Sequence, residues 1–375
     1  MIKRNILIIA SILMIAACQN SKIKSSVTQN SYSFFLGTYT DGESNGIYKL
    51  KMDTAGHMNM IGLVAETKNP SYLAFANNQK TLLASNEINL DNNMGTVESY
   101  QIGDSLKLIS RKESGGAHPC FVTVNNEGVV LTANYTGGNI GYLKINEGGE
   151  LSDLLDVQQH TGSGTVANRQ DKPHAHSVWF QPNSNHIIAV DLGTNELWIA
   201  SIDSTSNQFV PAKQAKVSLA DGAGPRHLAF HPNGKYFFVI NEIDNTISSF
   251  SISDNHEISR FGNVSTLPAD FDGVSNTADI HISKDGKFLY GSNRGHNSIV
   301  IFGVQEDGAL KLIGHEPTRG DHPRNFSLSP DDKFLLVANK NTNNIVSFKR
   351  DSVTGMLTFV DEVKAPSPVC ILFQK

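Results

Sequence analysis

Gly224-Pro225-Arg226-His227-Leu228-Ala229-Phe230-His231-Pro232-Asn233-Gly234-Lys235-Tyr236-Phe237-Phe238-Val239-Ile240-Asn241-Glu242 reads as an apolar strand, a turn, and a second apolar strand that stops on a polar pair. Asn-Gly supplies the positive-φ positions that tight hairpin turns need. The phrase recurs along the chain. Its first strand returns as Asn69-Pro70-Ser71-Tyr72, His118-Pro119-Cys120-Phe121, His174-Ala175-His176-Ser177, Thr277-Ala278-Asp279-Ile280, His322-Pro323-Arg324-Asn325 and Ser367-Pro368-Val369-Cys370. Taking Pro70, Pro119, Ala175, Pro225, Ala278, Pro323 and Pro368 as equivalent, the steps are 49, 56, 50, 53, 45 and 45 residues.

Each of the first six copies continues through a turn (Asn77-Asn78-Gln79 or Lys284-Asp285-Gly286, for example) into a second strand ending in Asn or Asp, then a third, alternating strand. Helix-period segments are nearly absent. Units of about 45–50 residues built from four short strands specify an all-β fold, a β-propeller. The seventh copy supplies one strand only. Its partners lie at the other end of the chain, at Phe34-Phe35-Leu36-Gly37-Thr38-Tyr39 and Gly46-Ile47-Tyr48-Lys49-Leu50. The reading is a seven-bladed β-propeller over residues 32–375, its ring closed by N-terminal strands pairing with the C-terminal strand. Closure removes the unpaired edges that an open array would expose.

The N-terminus reads differently. Lys3 and Arg4 precede an apolar run from Ile6 to Ala17, too short for the roughly 20 residues of a spanning helix. The run ends Ile15-Ala16-Ala17-Cys18, which resembles the bacterial lipobox. Residues 1–17 are therefore expected to be a lipoprotein signal peptide, with Cys18 the lipidated residue and 18–31 a polar tether. That places the protein in the bacterial cell envelope, on the periplasmic face or outer membrane, touching the membrane through its lipid only. A net charge of −5 and a pI near 6.2 argue against nucleic acid as a partner. Cys120 and Cys370 sit in apolar runs and read as buried free thiols.

The repeat register also nominates a site. The start of strand one and the end of strand two lie at one end of a hairpin, so they ring one mouth of the central channel. The first ring reads Ser71, Cys120, His176, Arg226, Asp279, Arg324, Val369; the second reads Glu87, Tyr135, Leu192, Glu242, Arg294, Lys340, Tyr39. A structural ring would repeat one small residue, whereas these blades supply dissimilar ionisable groups. Desolvated charges need partners, so such a gathering points to a site for an anionic ligand. Arg offers forked donors matched to carboxylate or phosphate. The Gly-rich segment from His160 reads as a lid that carries Arg169 to the ligand. His174 and His176 have a spacing that suits a metal. Because His174 aligns with His118 and His322, it reads instead as a loop residue near the ligand, and neither metal nor other cofactor is expected.

In combination, Phe35-Leu36-Gly37-Thr38-Tyr39, Pro173-His174-Ala175-His176-Ser177, Gly224-Pro225-Arg226-His227, Asn241-Glu242, Ala278-Asp279-Ile280-His281 and His322-Pro323-Arg324 resemble the seven-bladed lactonase propellers, the 6-phosphogluconolactonase-like family related to carboxymuconate cyclase. The resemblance runs from about Phe34 to the C-terminus. It implies a lactonase, with catalytic His176, Arg226, Glu242 and Arg294. Arg324, Lys340, Asp279, Glu87, Tyr135, Arg169 and His174 are then the expected substrate contacts. The expected substrate is a small anionic or sugar lactone. Two other readings stay open: a lactone-forming cycloisomerase of muconate type, and a non-catalytic surface propeller that binds glycan or protein.

Overall fold

A computed structural model describes residues 31–374; the expected signal peptide, most of the expected tether and Cys18, the expected lipidation residue, lie outside the described residues. The described chain forms seven four-stranded antiparallel sheets, and no helix occurs among the described residues. Six blades are contiguous in sequence, at 70–113, 119–159, 175–218, 225–265, 276–317 and 323–364, and are called blades one to six here. Blade seven joins the two ends of the chain. Its inner strand, Pro368–Phe373, pairs with Ser31–Thr38, which continues into Gly46–Asp53 and Met58–Glu66. The closure read from the sequence is the observed one.

The hairpin turns fall where the repeat placed them. Asn77, Asn183, Asp332, Gly128, Gly234 and Gly286 all have positive φ. Between the sheets lie seven clusters of buried apolar side chains, one per blade interface. One joins Phe34, Leu50 and Phe373 of blade seven to Phe334 and Leu336 of blade six. The last interface is therefore packed like the others. Burying apolar area at roughly 25 cal/mol per Å2 drives each contact.

The Asn that ends strand two is structural. Asn86 donates to the Lys68 carbonyl at 2.8 Å, Asn134 to Ser114 at 3.0 Å, Asn293 to Thr266 at 2.9 Å and Asn339 to Thr318 at 3.0 Å. Each bond ties a blade to the chain arriving from the previous one. Blade three replaces this amide with Asp191, which meets the buried His160 at 2.7 Å.

Every inner strand carries a β-bulge at the same place. The register breaks at Pro70/Tyr72, Pro119/Phe121, Ala175/Ser177, Pro225/His227 and Pro323/Asn325, and blade seven breaks opposite Pro368 and Cys370. A bulge inserts one unpaired residue and re-aims its side chain. The inserted residues are Ser71, Cys120, His176, Arg226, Arg324 and Val369, the first ring of the sequence reading.

Blade five differs. Thr277 pairs with Asn293 as Pro225 pairs with Asn241, and Ile280 pairs with Gly291 as Leu228 pairs with Val239. Ala278 is thus the ring member, and Asp279 lies one step further in, level with His227. The expectation that Asp279 belongs to the first ring is corrected by this one-residue slip. In a strand, such a slip moves a side chain to another face.

That second layer, Tyr72, Phe121, Ser177, His227, Asp279, Asn325 and Cys370, plugs the channel. Tyr72 and Phe121 rings lie 4.2 Å apart, and His227 meets both edge-on. Below the plug a cavity of about 910 Å3 opens at the far mouth, lined by rings such as Phe75, Phe121 and Trp179. The dense cluster of charged side chains gathers at the opposite end.

Candidate active site

Glu242 ends its blade's second strand, and its backbone N–H donates to Gly224 at 2.7 Å. Its carboxylate lies among three guanidinium groups. Arg226 Nε is 3.0 Å from Oε2, Arg294 Nη2 is 2.8 Å from the same oxygen, and Arg169 Nη2 holds Oε1. Arg226 and Arg294 are fixed from behind by backbone carbonyls: Arg226 Nη1 donates to Ala278 at 2.6 Å and Arg294 Nη2 to Thr277 at 2.5 Å. The Nε–H groups of both arginines are buried without an aligned acceptor. Burial alone would raise the Glu242 carboxyl, but Arg294, Arg226, His176 and Arg169 together hold it well below the usual carboxylate range. Burial, helped by Arg324 and Arg294, brings Arg226 down to about 10. Both groups stay charged at neutral pH.

His176 is buried, and burial together with Arg226 and His227 keeps its imidazole well below the ordinary histidine value. It is neutral at pH 7. Its Nδ1 lies 3.6 Å from Cys120 Sγ, while Nε2 has no protein partner among the described residues. Tyr135 meets His176 edge-on at 5.5 Å and stacks on His174 at 4.5 Å. His174 Nδ1 contacts the Tyr135 carbonyl at 2.9 Å, so this ring supports Tyr135. Among the described residues no group of three or more His, Cys, Asp or Glu is placed to hold a metal ion.

The other half of the mouth is built around Tyr39. Its hydroxyl donates to Glu87 at 2.7 Å. Arg324 lies 5.1 Å from its ring centroid and Lys340 5.4 Å. Arg324 is 3.8 Å from Glu87, and Lys340 is 3.5 Å from Asp41. Arg169 comes from the loop between blades two and three, and Gln170 pins that loop. The Gln170 side chain donates to Leu192 and accepts from Thr165 and Val166. The segment read as a lid is thus a folded strap whose arginine touches Glu242.

The structure brings together all the expected catalytic and substrate-contact residues except Asp279. That carboxylate accepts from His227, Ile280, His281, Asn325 and Phe326 inside the plug. The sequence reading did not single out His322 or Asp41. Burial, Arg294 and Arg324 push the His322 imidazole down to about 4, which places it against the cationic wall. Its only sequence signal was its place before Pro323, shared with His118. In all, Arg169, Arg226, Arg294, Arg324 and Lys340 face Glu87, Glu242 and Asp41, five cations to three carboxylates. The surplus favours an anion, or a group that becomes one.

The seven-bladed propeller thus carries a neutral imidazole and an arginine-clamped carboxylate at one mouth of its ring. Residues 33–373 match the family described as lactonase, 7-bladed beta-propeller. The chain is 37% identical over 350 residues to a 6-phosphogluconolactonase of Bacillus subtilis, covering 91% of this chain and 98% of that one. A 6-phosphogluconolactonase of Formosa agariphila is 38% identical over 339 residues, with 86% and 94% covered. The solved structure of the Pseudomonas aeruginosa periplasmic gluconolactonase superposes with a TM-score of 0.87 at 30% identity, covering 92% of this chain and 99% of that one. The chain belongs to the seven-bladed β-propeller lactonase family, and it is a lactone-hydrolysing enzyme.

Proposed function

We propose that the enzyme opens a sugar lactone, 6-phosphogluconolactone or an unphosphorylated aldonolactone, at the Glu242 mouth. The observation that carries this reading is the division of labour between Glu242 and His176. Glu242 is committed to three guanidinium groups and is a poor proton acceptor. His176 is neutral with a free Nε2. His176 therefore acts as the general base, and Glu242 organises the arginines.

His176 Nε2 takes a proton from water as the water oxygen bonds to the lactone carbonyl carbon. Arg226 and Arg294 hold the developing oxyanion; one such donor is typically worth about 10²–10³ in rate. Collapse breaks the ring C–O bond, and the proton on His176 passes to the departing ring oxygen, which leaves as an alcohol. The new carboxylic acid ionises, so one proton is released per turnover. The carboxylate then rests against the arginines. Arg324 and Lys340 lie where a distal hydroxyl or phosphate of the substrate would be held, with Glu87 and Tyr135 toward sugar hydroxyls and His174 behind Tyr135.

The names of the relatives support the substrate class. The expected signal and Cys18 support an envelope location, where the periplasmic gluconolactonase is a natural parallel. The test is acid release in a pH-stat from D-glucono-1,5-lactone and from 6-phosphogluconolactone. The reading expects acid from one or both, lost in His176→Asn. Consumption to a mass-neutral isomer would replace it with the cycloisomerase reading; no consumption of either would overturn it.

A further inference from the structure

Directly beneath the mouth, between the bulge ring and the plug, lies a small cavity of about 10 Å3 lined by Ser71, Cys120, Arg226 and Arg324 above and by Tyr72, His227 and Asn325 below. That is room for one water molecule. Two polar atoms bordering it, Ser71 Oγ and His227 Nε2, are buried and without a hydrogen-bond partner, and both residues are under 5% exposed. Buried polar atoms are costly to leave without partners, so native structures almost always supply one. The reaction scheme above uses neither residue.

His227 has a defined tautomer. Its Nδ1 is 2.8 Å from Asp279 Oδ1, and Asp279 is an anion held by five donors. The proton must lie on Nδ1, which leaves Nε2 as a bare acceptor facing the cavity. Other groups around His227 are the rings of His176 at 5.4 Å, Tyr72 at 5.9 Å, Phe121 at 5.5 Å and Trp179 at 6.3 Å, with Arg226 alongside and His281 across Asp279. Burial and Arg226 push the imidazole down to about 4, in keeping with a neutral ring.

We propose that this cavity is a binding site for a single structural water, held by Ser71 and His227, and that the Asp279–His227 dyad is the acceptor floor that positions Arg226 and Arg324. The water donates to His227 Nε2 and to Ser71 Oγ, which leaves both of its lone pairs to accept from the two guanidinium groups. A carboxylate there would compete for the arginines; a neutral acceptor steadies them and leaves their charge for the ligand. His227 is thus a positioning residue. The link to catalysis rests on the lactonase reading of the mouth, whereas the water site and the tautomer do not.

The test joins ¹⁵N-histidine NMR of the whole protein with kinetics and unfolding of Ser71→Ala and Asp279→Asn, using whichever probe lactone the wild type opens. The expected spectrum shows His227 protonated on Nδ1 and bare on Nε2 from pH 6 to 8. Ser71→Ala should keep its melting temperature yet lose about 5–10-fold in kcat with KM within twofold. Asp279→Asn presents an amide donor to Nδ1, reverses the tautomer, and should lose more. If Asp279→Asn fails to fold, Ser71→Ala decides. An Nε2–H tautomer in the wild type, or full turnover in Ser71→Ala, overturns the proposal. Should the wild type open no lactone, the functional reading fails instead, and the spectrum still judges the dyad.

Discussion

Glu242→Gln keeps the shape of the side chain and removes one charge, which makes it the most informative single substitution. Its carboxylate is under 10% exposed and meets Arg226 at 3.0 Å, Arg294 at 2.8 Å and Arg169. Removing one partner of a buried ion pair costs about 3–5 kcal/mol, because the remaining charge stays desolvated and unpaired. Here two buried guanidinium groups lose their counter-charge together, while Arg169 reaches solvent and contributes less. We expect about 3–5 kcal/mol of destabilisation in urea unfolding at pH 7. The folded-state pKa of Glu242 is depressed, so its stabilising contribution is fully present above the ordinary glutamate value near 4.5. It is lost only as pH falls through the lower folded value. The gap between wild type and variant should therefore persist from pH 8 to pH 5 and narrow only in stronger acid. The uncompensated arginines should also bind the aldonate product more tightly, and gluconate should restore part of the lost melting temperature. Destabilisation below about 1 kcal/mol, with no gain from gluconate, would refute the claim that Glu242 organises the arginines.

With a neutral His176 as base, kcat/KM should be flat between pH 8 and 6.5 and fall only at lower pH, where the imidazole gains its proton; an inflection at 6.5 or above in the pH-stat profile would contradict this. His176→Asn should lose about 10²–10⁴-fold in kcat, the usual worth of general base catalysis, with an unchanged melting temperature. Truncation after Ser367 removes the strand that closes blade seven and should give aggregated or unfolded protein by size-exclusion chromatography; a monomeric, cooperatively folded product would count against ring closure as the source of stability. Cys18→Ser should abolish incorporation of labelled fatty acid in cells and release the protein from the membrane fraction.

Most of this architecture was legible because the chain repeats a phrase whose turn residues cannot serve another purpose. Gly234 and Gly286 mark the hairpins, and the Asn before Glu87, Glu242 and Arg294 marks where each second strand ends. Once the hairpin ends are known, the mouth residues follow by register. Two things did not follow. The first is the bulge. It explains why Arg226 and His176 turn toward the mouth, yet it leaves no mark in a sequence beyond the Pro that precedes it in most copies. The second is blade five, which lacks that Pro; Ala278 took its place in the repeat and drew Asp279 one residue too far forward. Partner choice is also a tertiary matter. Nothing local in Arg169 states that it reaches Glu242, 73 residues away, or that His322 stands against Arg294 and Arg324.

A crystal structure of the protein with bound D-gluconate or 6-phosphogluconate tests the central claim most directly. The account predicts the carboxylate within hydrogen-bond distance of Arg226 and Arg294, with its carbon facing His176 Nε2. Density for the acid only in the aromatic cavity at the far mouth, with the Glu242 cluster undisturbed, would contradict it.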